Sequence, residues 1–165
     1  MNSGSGRAPS APQPTVADLM RRDVVTIAPD ATVRELTRLL DRHRVSGVPV
    51  VDENRRVLGM VSVSDLRWLA DWFAGEEWGF GVRARAAEHL DRKRVRDIMT
   101  PDVFGVGPDA TVQELALFFA RTGLGRAVVM EGGRLVGIVS AIDLLRLVAG
   151  RPHEAEQAGD PRGRR

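Results

Sequence analysis

The sequence predicts an α/β (α+β) protein made of two β-α-β-β-α repeats packed about a pseudo-two-fold axis. Three observations lead there. The first is an internal repeat. Asp18-Leu19-Met20 recurs as Asp97-Ile98-Met99, and Pro29-Asp30-Ala31-Thr32-Val33-Arg34-Glu35-Leu36 returns at the same offset as Pro108-Asp109-Ala110-Thr111-Val112-Gln113-Glu114-Leu115. After a one-residue deletion, Gly59-Met60-Val61-Ser62-Val63-Ser64-Asp65-Leu66 returns as Gly137-Ile138-Val139-Ser140-Ala141-Ile142-Asp143-Leu144. The second is a helix-start signature in each copy, and the third is a hairpin signature in each copy.

The elements follow in order. Val24 to Ile27 and Val103 to Val106 are short β-rich stretches. Thr32-x-x-Glu35 and Thr111-x-x-Glu114 are capping boxes, in which hydroxyl and carboxylate satisfy backbone donors left over at a helix start. Val33, Leu36 and Leu40 continue at helical spacing, matched by Val112, Leu115 and Phe119. Val48 to Val51 and Val57 to Val61 flank the polar turn Asp52-Glu53-Asn54-Arg55-Arg56 and predict a hairpin. Its counterpart is Ala127 to Met130 and Leu135 to Val139 around Gly132-Gly133. A second helix is predicted from near Ser64 and from near Ala141.

A unit of this size buries too little surface to stand alone. Its sheet has one face under its own helices, and the other needs a partner. The two copies supply that partner for each other, and the crevices between them are natural ligand positions. The expected organisation is a disordered tail over 1–14, repeat 1 over 15–70, an aromatic-rich insert over 71–94, repeat 2 over 95–149 and a flexible tail over 150–165. The tails are too poor in apolar residues to order themselves.

Composition narrows the function. Cysteine is absent, so disulfides, thiolate metal sites and cysteine nucleophiles are excluded. No apolar run approaches the roughly 18 residues of a membrane-spanning helix, and the amino terminus has no apolar stretch of the kind a secretion signal needs. A cytoplasmic location without membrane attachment is expected. The isoelectric point near 10.2 suggests nucleic acid, but the formal charge is only +2. Nearly all the basic residues are arginines, which stay protonated far above neutrality. Nucleic-acid binding is therefore not expected, since it needs clustered excess charge.

Two motifs carry chemistry. Ser62-x-x-Asp65 and Ser140-x-x-Asp143 fall at strand-to-helix junctions. An i to i+3 pair there puts both side chains on one side of the first turn, where unsatisfied N–H groups and the helix dipole favour an anion. The same pair is also an ordinary helix cap, and the two roles are compatible. His43, His89 and His153 lack ligand spacing, and no nucleophile elbow, phosphate loop or zinc-protease motif appears. No metal site or cofactor-dependent catalysis is expected, and the protein reads as a non-enzyme.

The ordered pattern Asp-x-Met, Pro-Asp-Ala-Thr-x-x-Glu-Leu, Arg44-Val45-Ser46-Gly47-Val48-Pro49-Val50-Val51-Asp52 and Gly59-Met60-Val61-Ser62-Val63-Ser64-Asp65-Leu66 resembles the CBS domain, named after cystathionine β-synthase. Two in tandem resemble a Bateman module, over about Val16 to Leu147 apart from the insert. The resemblance implies a regulatory module that takes an adenosine derivative (AMP, ADP, ATP or S-adenosylmethionine) as a regulatory ligand between the repeats. It implies that Asp65 and Asp143 accept from ribose hydroxyls while Ser62 and Ser140 approach a phosphate. It also implies backbone recognition of adenine by Val25, Thr26, Ile27, Val48 and Pro49 in repeat 1, and by Gly105, Val106, Ala127 and Val128 in repeat 2, which lacks the proline. Arg126 stands where a phosphate-binding basic residue is found, whereas repeat 1 has Gly47 there. Arg42, His43 and Arg44 either reach a phosphate or are solvated. With these differences, one occupied site is expected rather than two.

Such modules pair into discs, so a homodimer is expected. Trp68, Trp72, Trp78, Phe73 and Phe80 either roof the monomer's core or form its interface. With no attached output domain in the sequence, a signal is expected to reach an unidentified protein target in trans. A ligand-free structural or interaction dimer is the alternative.

Overall fold

The computed structural model describes residues 13–67, 88, 90–101 and 103–150. The tryptophans, Phe73, Phe80, His89 and His153 lie outside the described residues, as do most of the two tails. Element order is α1 (Val16–Leu19), α2 (Val33–His43), β1 (Gly47–Val51), β2 (Val57–Ser62), a 3-10 turn (Val63–Leu66), a second 3-10 turn (Val95–Asp97), β3 (Gly105–Val106), α3 (Val112–Thr122), β4 (Arg126–Glu131), β5 (Arg134–Ser140) and α4 (Ala141–Val148).

The two repeats are built alike. Thr32 Oγ1 accepts the Glu35 amide at 3.1 Å and Glu35 Oε2 accepts the Thr32 amide at 2.6 Å, closing the predicted capping box. Thr111 and Glu114 do the same at 3.2 and 2.7 Å. These bonds, backbone first and hydroxyl second, hold both glutamates below the ordinary carboxylate pKa. Val33, Leu36 and Leu40 are buried under α2, and Leu115 and Phe119 under α3. Each helix ends on a left-handed residue, Arg44 at φ 51° in α2 and Gly123 at φ 68° in α3. Both hairpins form in antiparallel register, Gly47 opposite Ser62 and Arg126 opposite Ser140.

The first strand of each repeat is shorter than the sequence predicts. In repeat 1, Val24 to Ile27 reduces to a parallel bridge of Ile27 with Val50, made by Ile27 N to Pro49 O at 3.1 Å and Val51 N to Ile27 O at 3.0 Å. In repeat 2 only Gly105 and Val106 pair with β4. A β-carbon on Gly105 would stand 2.8 Å from Val128 O and 2.5 Å from Met130 Cε, so the close approach of β3 to β4 requires glycine.

The segments carrying Asp18-Leu19-Met20 and Asp97-Ile98-Met99 behave in a way their sequences did not reveal. Val16 and Leu19 of α1 are buried in the core of repeat 2 with Leu115, Phe119, Ala127, Val129 and Val139. Reciprocally, Val95 is buried in the core of repeat 1 with Ile27, Leu36, Leu40, Val48, Val50 and Val61, and Ile98 and Met99 pack against it. Matching backbone bonds fix the exchange: Val16 N to Ala110 O at 2.8 Å against Val95 N to Ala31 O at 2.9 Å, and Ala17 N to Pro108 O at 2.9 Å against Arg96 N to Pro29 O at 3.0 Å. Arg21 then pairs with Ile138 of β5, and Thr100 with Met60 of β2. The glycines next to those positions, Gly137 and Gly59, leave room for the visiting chain.

Residues at the edges of the expected segments are likewise built in. Pro14 O accepts the Val112 amide at 3.3 Å, and Lys93 O accepts the Val33 amide at 3.0 Å. Asp91 forms a two-pronged ion pair with Arg34, whose guanidinium holds its carboxyl below the usual range. At the opposite end the two hairpin turns meet, Val57 N donating to Gly133 O at 3.2 Å and Leu135 N to Arg55 O at 2.9 Å. The repeats thus clasp each other through exchanged leaders at one place and paired turns at another.

Candidate functional site

The Ser-x-x-Asp pairs sit where β2 and β5 end. Ser62 donates to Asp65 Oδ2 from its amide at 2.7 Å and from its hydroxyl at 2.8 Å. Ser140 donates to Asp143 Oδ2 from its amide at 2.9 Å and its hydroxyl at 2.5 Å, and also accepts the Asp143 amide at 3.3 Å. Both pairs therefore work as helix caps. In each carboxylate one oxygen is taken by the cap, leaving Oδ1 for other work.

The copies then diverge. Asp143 is 6% exposed, and its Oδ1 lies 3.7 Å from Arg146 Nη1, one turn along α4. Asp65 is half-buried, and its Oδ1 has no partner among the described residues. Asp65 is thus the carboxylate better placed to receive a ligand hydroxyl.

Arg126 joins the copies. Its backbone lies opposite Ser140, while its Nη1 donates to Ser46 Oγ of repeat 1 at 3.2 Å. Ser46 O accepts the Val63 amide at 2.9 Å, beside Ser62. The backbone of Arg126 is therefore anchored beside Ser140 while its guanidinium reaches Ser46, which in turn is bonded to the residue after Ser62. The length of the Arg126 side chain carries its charge across the seam to repeat 1. At the equivalent Gly47 a β-carbon would sit tightly, 3.0 Å from Ser62 Cβ and 3.1 Å from Val61 O.

The other candidate residues line the sheet. Val48, Pro49 and Ile27 have buried side chains that belong to the core. Only their backbone is free to meet a ligand, and the Pro49 carbonyl is already held by the Ile27 amide. Thr26 is half-buried at the same edge. In repeat 2, Val128 is buried and Phe104, next to Gly105, is 72% exposed. Arg42, His43 and Arg44 are exposed. Arg44 instead borders an open groove of about 500 Å³ in repeat 1, with Thr37, Leu40, Asp41, Val45, Ser46, Val63 and Leu66. No group of three metal-ligating side chains occurs among the described residues, and no described helix is long and apolar enough to cross a membrane.

A duplicated α+β unit with interlocked halves, and a Ser-x-x-Asp pair at the end of each hairpin, defines a tandem-repeat module. The CBS domain family model matches residues 16–69 and 95–150, and the chain belongs to that family as a tandem pair. It is similar to the inosine-5'-monophosphate dehydrogenase of Korarchaeum cryptofilum, with 36% identity over 74% of this chain but only 22% of that enzyme. The chain spans less than half the length of the first curated relatives it matches. Among solved structures, the CBS domain of a CBS domain-containing membrane protein from Sphaerobacter thermophilus aligns with TM-score 0.68 at 27% identity, covering 82% of this chain and 88% of that one. CBSX2, a CBS-pair protein of Arabidopsis thaliana, was solved in complex with AMP. That complex aligns with TM-score 0.66 at 27% identity, covering 82% of this chain and 96% of that one.

Proposed function

We propose that this CBS pair is a regulatory module that binds an adenosine-containing ligand in the cleft between its repeats and passes the bound state to a protein target in trans. The observation that carries the reading is Arg126, whose backbone pairs with Ser140 of repeat 2 while its guanidinium bonds Ser46 of repeat 1 across the seam. In that arrangement Asp65 Oδ1 receives ribose hydroxyls, Arg126 meets a phosphate, and the sheet edge at Thr26, Ile27, Val48 and Pro49 borders the base. The crevice of Ser140 and Asp143 is the weaker one, because Asp143 is engaged by Arg146 and nearly enclosed. The AMP complex of CBSX2 supports the ligand class. The role is regulatory rather than catalytic, and a cytoplasmic setting fits an adenine nucleotide as signal.

A homodimer completes the reading. Ile142, Leu145 and Val148 on α4 and Leu117 on α3 are between 54% and 79% exposed, an apolar strip that a second copy covers. A ligand moves such an assembly only through its unequal affinity for two arrangements of it.

Thermal unfolding with AMP, ADP, ATP and S-adenosylmethionine tests the proposal. A bound ligand at about 100 times its dissociation constant adds about 2.7 kcal/mol, roughly 5 to 10 °C for a chain of this size. Asp65→Asn removes the shift. No shift with any of the four ligands sinks the sensor reading and leaves the ligand-free interaction dimer, which the capping use of both aspartates favours.

A further inference from the structure

The paired hairpin turns at the pseudo-two-fold axis gather three arginines, and we propose that they form a phosphate-binding site apart from the adenosine cleft. The backbone bonds between the turns set Arg56 directly opposite Arg134 in an antiparallel bridge. From there the side chains of repeat 1 lean over the other turn. Arg56 Nη2 lies 3.9 Å from where a β-carbon on Gly133 would stand, and Arg55 Nε donates to Leu135 O at 3.5 Å. Arg55 and Arg56 therefore reach residues 133–135, the turn that carries Arg134, and all three arginines are exposed.

No carboxylate among the described residues pairs with any of the three. Asp52 Oδ1 is occupied by the amides of Asn54 and Arg56 at 2.9 and 2.8 Å. Glu131 is the register partner of Arg134 yet forms no ion pair with it, and Glu53 stands exposed on the turn.

Two local features are unfavourable as they stand. Like charges facing each other across a bridge repel. Arg55 also holds φ at 61°, a left-handed conformation poorly suited to a residue with a β-carbon, at the place where the second turn has Gly133 at φ 78°. An oxyanion turns both to advantage. The left-handed residue delivers a guanidinium to the axis, and guanidinium forks donate pairs of N–H groups to phosphate oxygens. The ligand class is a multiply charged phosphate, either free or at the end of a nucleotide.

Pyrophosphate is the probe, in thermal unfolding of the full chain at low ionic strength, with sodium chloride matched for ionic strength as control. At about ten times its dissociation constant it raises the midpoint by roughly 3 to 6 °C, and the chloride control does not. The Arg56→Ala/Arg134→Ala double variant loses that rise, and without ligand it unfolds no earlier than the parent. Retention of the rise in Asp65→Asn separates this site from the cleft. A rise with ATP alone, lost in the arginine double variant, assigns the phosphate to a nucleotide. An equal rise with chloride, or a rise kept by the double variant, overturns the site.

Discussion

Gly59→Ala measures how tightly the exchanged leaders are held. A β-carbon at Gly59 would stand 2.7 Å from Thr100 O and 2.9 Å from Met99 Sδ. Real β-carbons do not come this close to a carbonyl oxygen. Met99 can swing aside, but Thr100 O cannot without opening its paired bonds, Thr100 N to Met60 O at 2.9 Å and Met60 N to Thr100 O at 3.0 Å. The site thus behaves as an overpacked core position, worth about 1 to 3 kcal/mol, or roughly 3 to 10 °C in the unfolding midpoint. The related Gly137→Ala meets chiefly a side chain, Met20 Sδ at 2.6 Å and Cγ at 2.9 Å, with Arg21 O at 3.0 Å. It is therefore the milder change, and Met20→Ala relieves it, so the double variant loses less than the sum of the singles. Thermal or urea unfolding of the five chains gives the comparison. Equal losses at Gly59 and Gly137, or a neutral Gly59→Ala, would refute the close approach of leader and hairpin.

Thr111→Ala removes the hydroxyl that accepts the Glu114 amide and lowers stability by about 1 kcal/mol, read as a drop in the unfolding midpoint. The glutamates of the two boxes, with folded pKa values held low by the bonds from Thr32 and Thr111, contribute stability that is complete above the ordinary glutamate range and lost as pH falls through the lowered folded values; Glu35→Gln/Glu114→Gln flattens the acid limb of a midpoint-against-pH curve. Arg126→Ala weakens AMP binding about 10-fold or more, the scale of a lost charged hydrogen bond, in a calorimetric titration, and spares a ligand without phosphate. Leu145→Asp shifts the proposed homodimer to monomer in sedimentation velocity while the unfolding midpoint of the monomer holds.

What the sequence reveals depends on how local each cause is. Thr32-x-x-Glu35 and Thr111-x-x-Glu114 close within one turn, so the helix starts were legible to the residue. The hairpins were legible because apolar runs flank polar or glycine turns. Val24 to Ile27 looked like a strand by composition, yet only Ile27 pairs, since a parallel edge needs a partner that composition does not specify. The leaders were visible as a repeat but not as structure. A helix of four residues has no periodicity to read, and the burial of Val16 or Val95 comes from a core in the other half of the chain. Thr15-x-x-Asp18 was the missed signal: Thr15 N donates to Asp18 Oδ2 at 2.8 Å, in the same pattern as the longer helices. At the candidate site the Ser-Asp pairs were legible for the same local reason. The reach of Arg126 across the seam was not, because it depends on how the repeats dock.

The exchange of leaders also bears on how such a protein can arise. A lone copy of the unit would carry its own leader outside and an open gap in its core, and a twin molecule would fill each gap with the other's leader. Joining two genes end to end turns that encounter between molecules into a search within one chain, independent of dilution. Once fused, the halves no longer need to match. One can keep an arginine where the other has glycine, and a symmetric ancestor gives way to a descendant with two different faces.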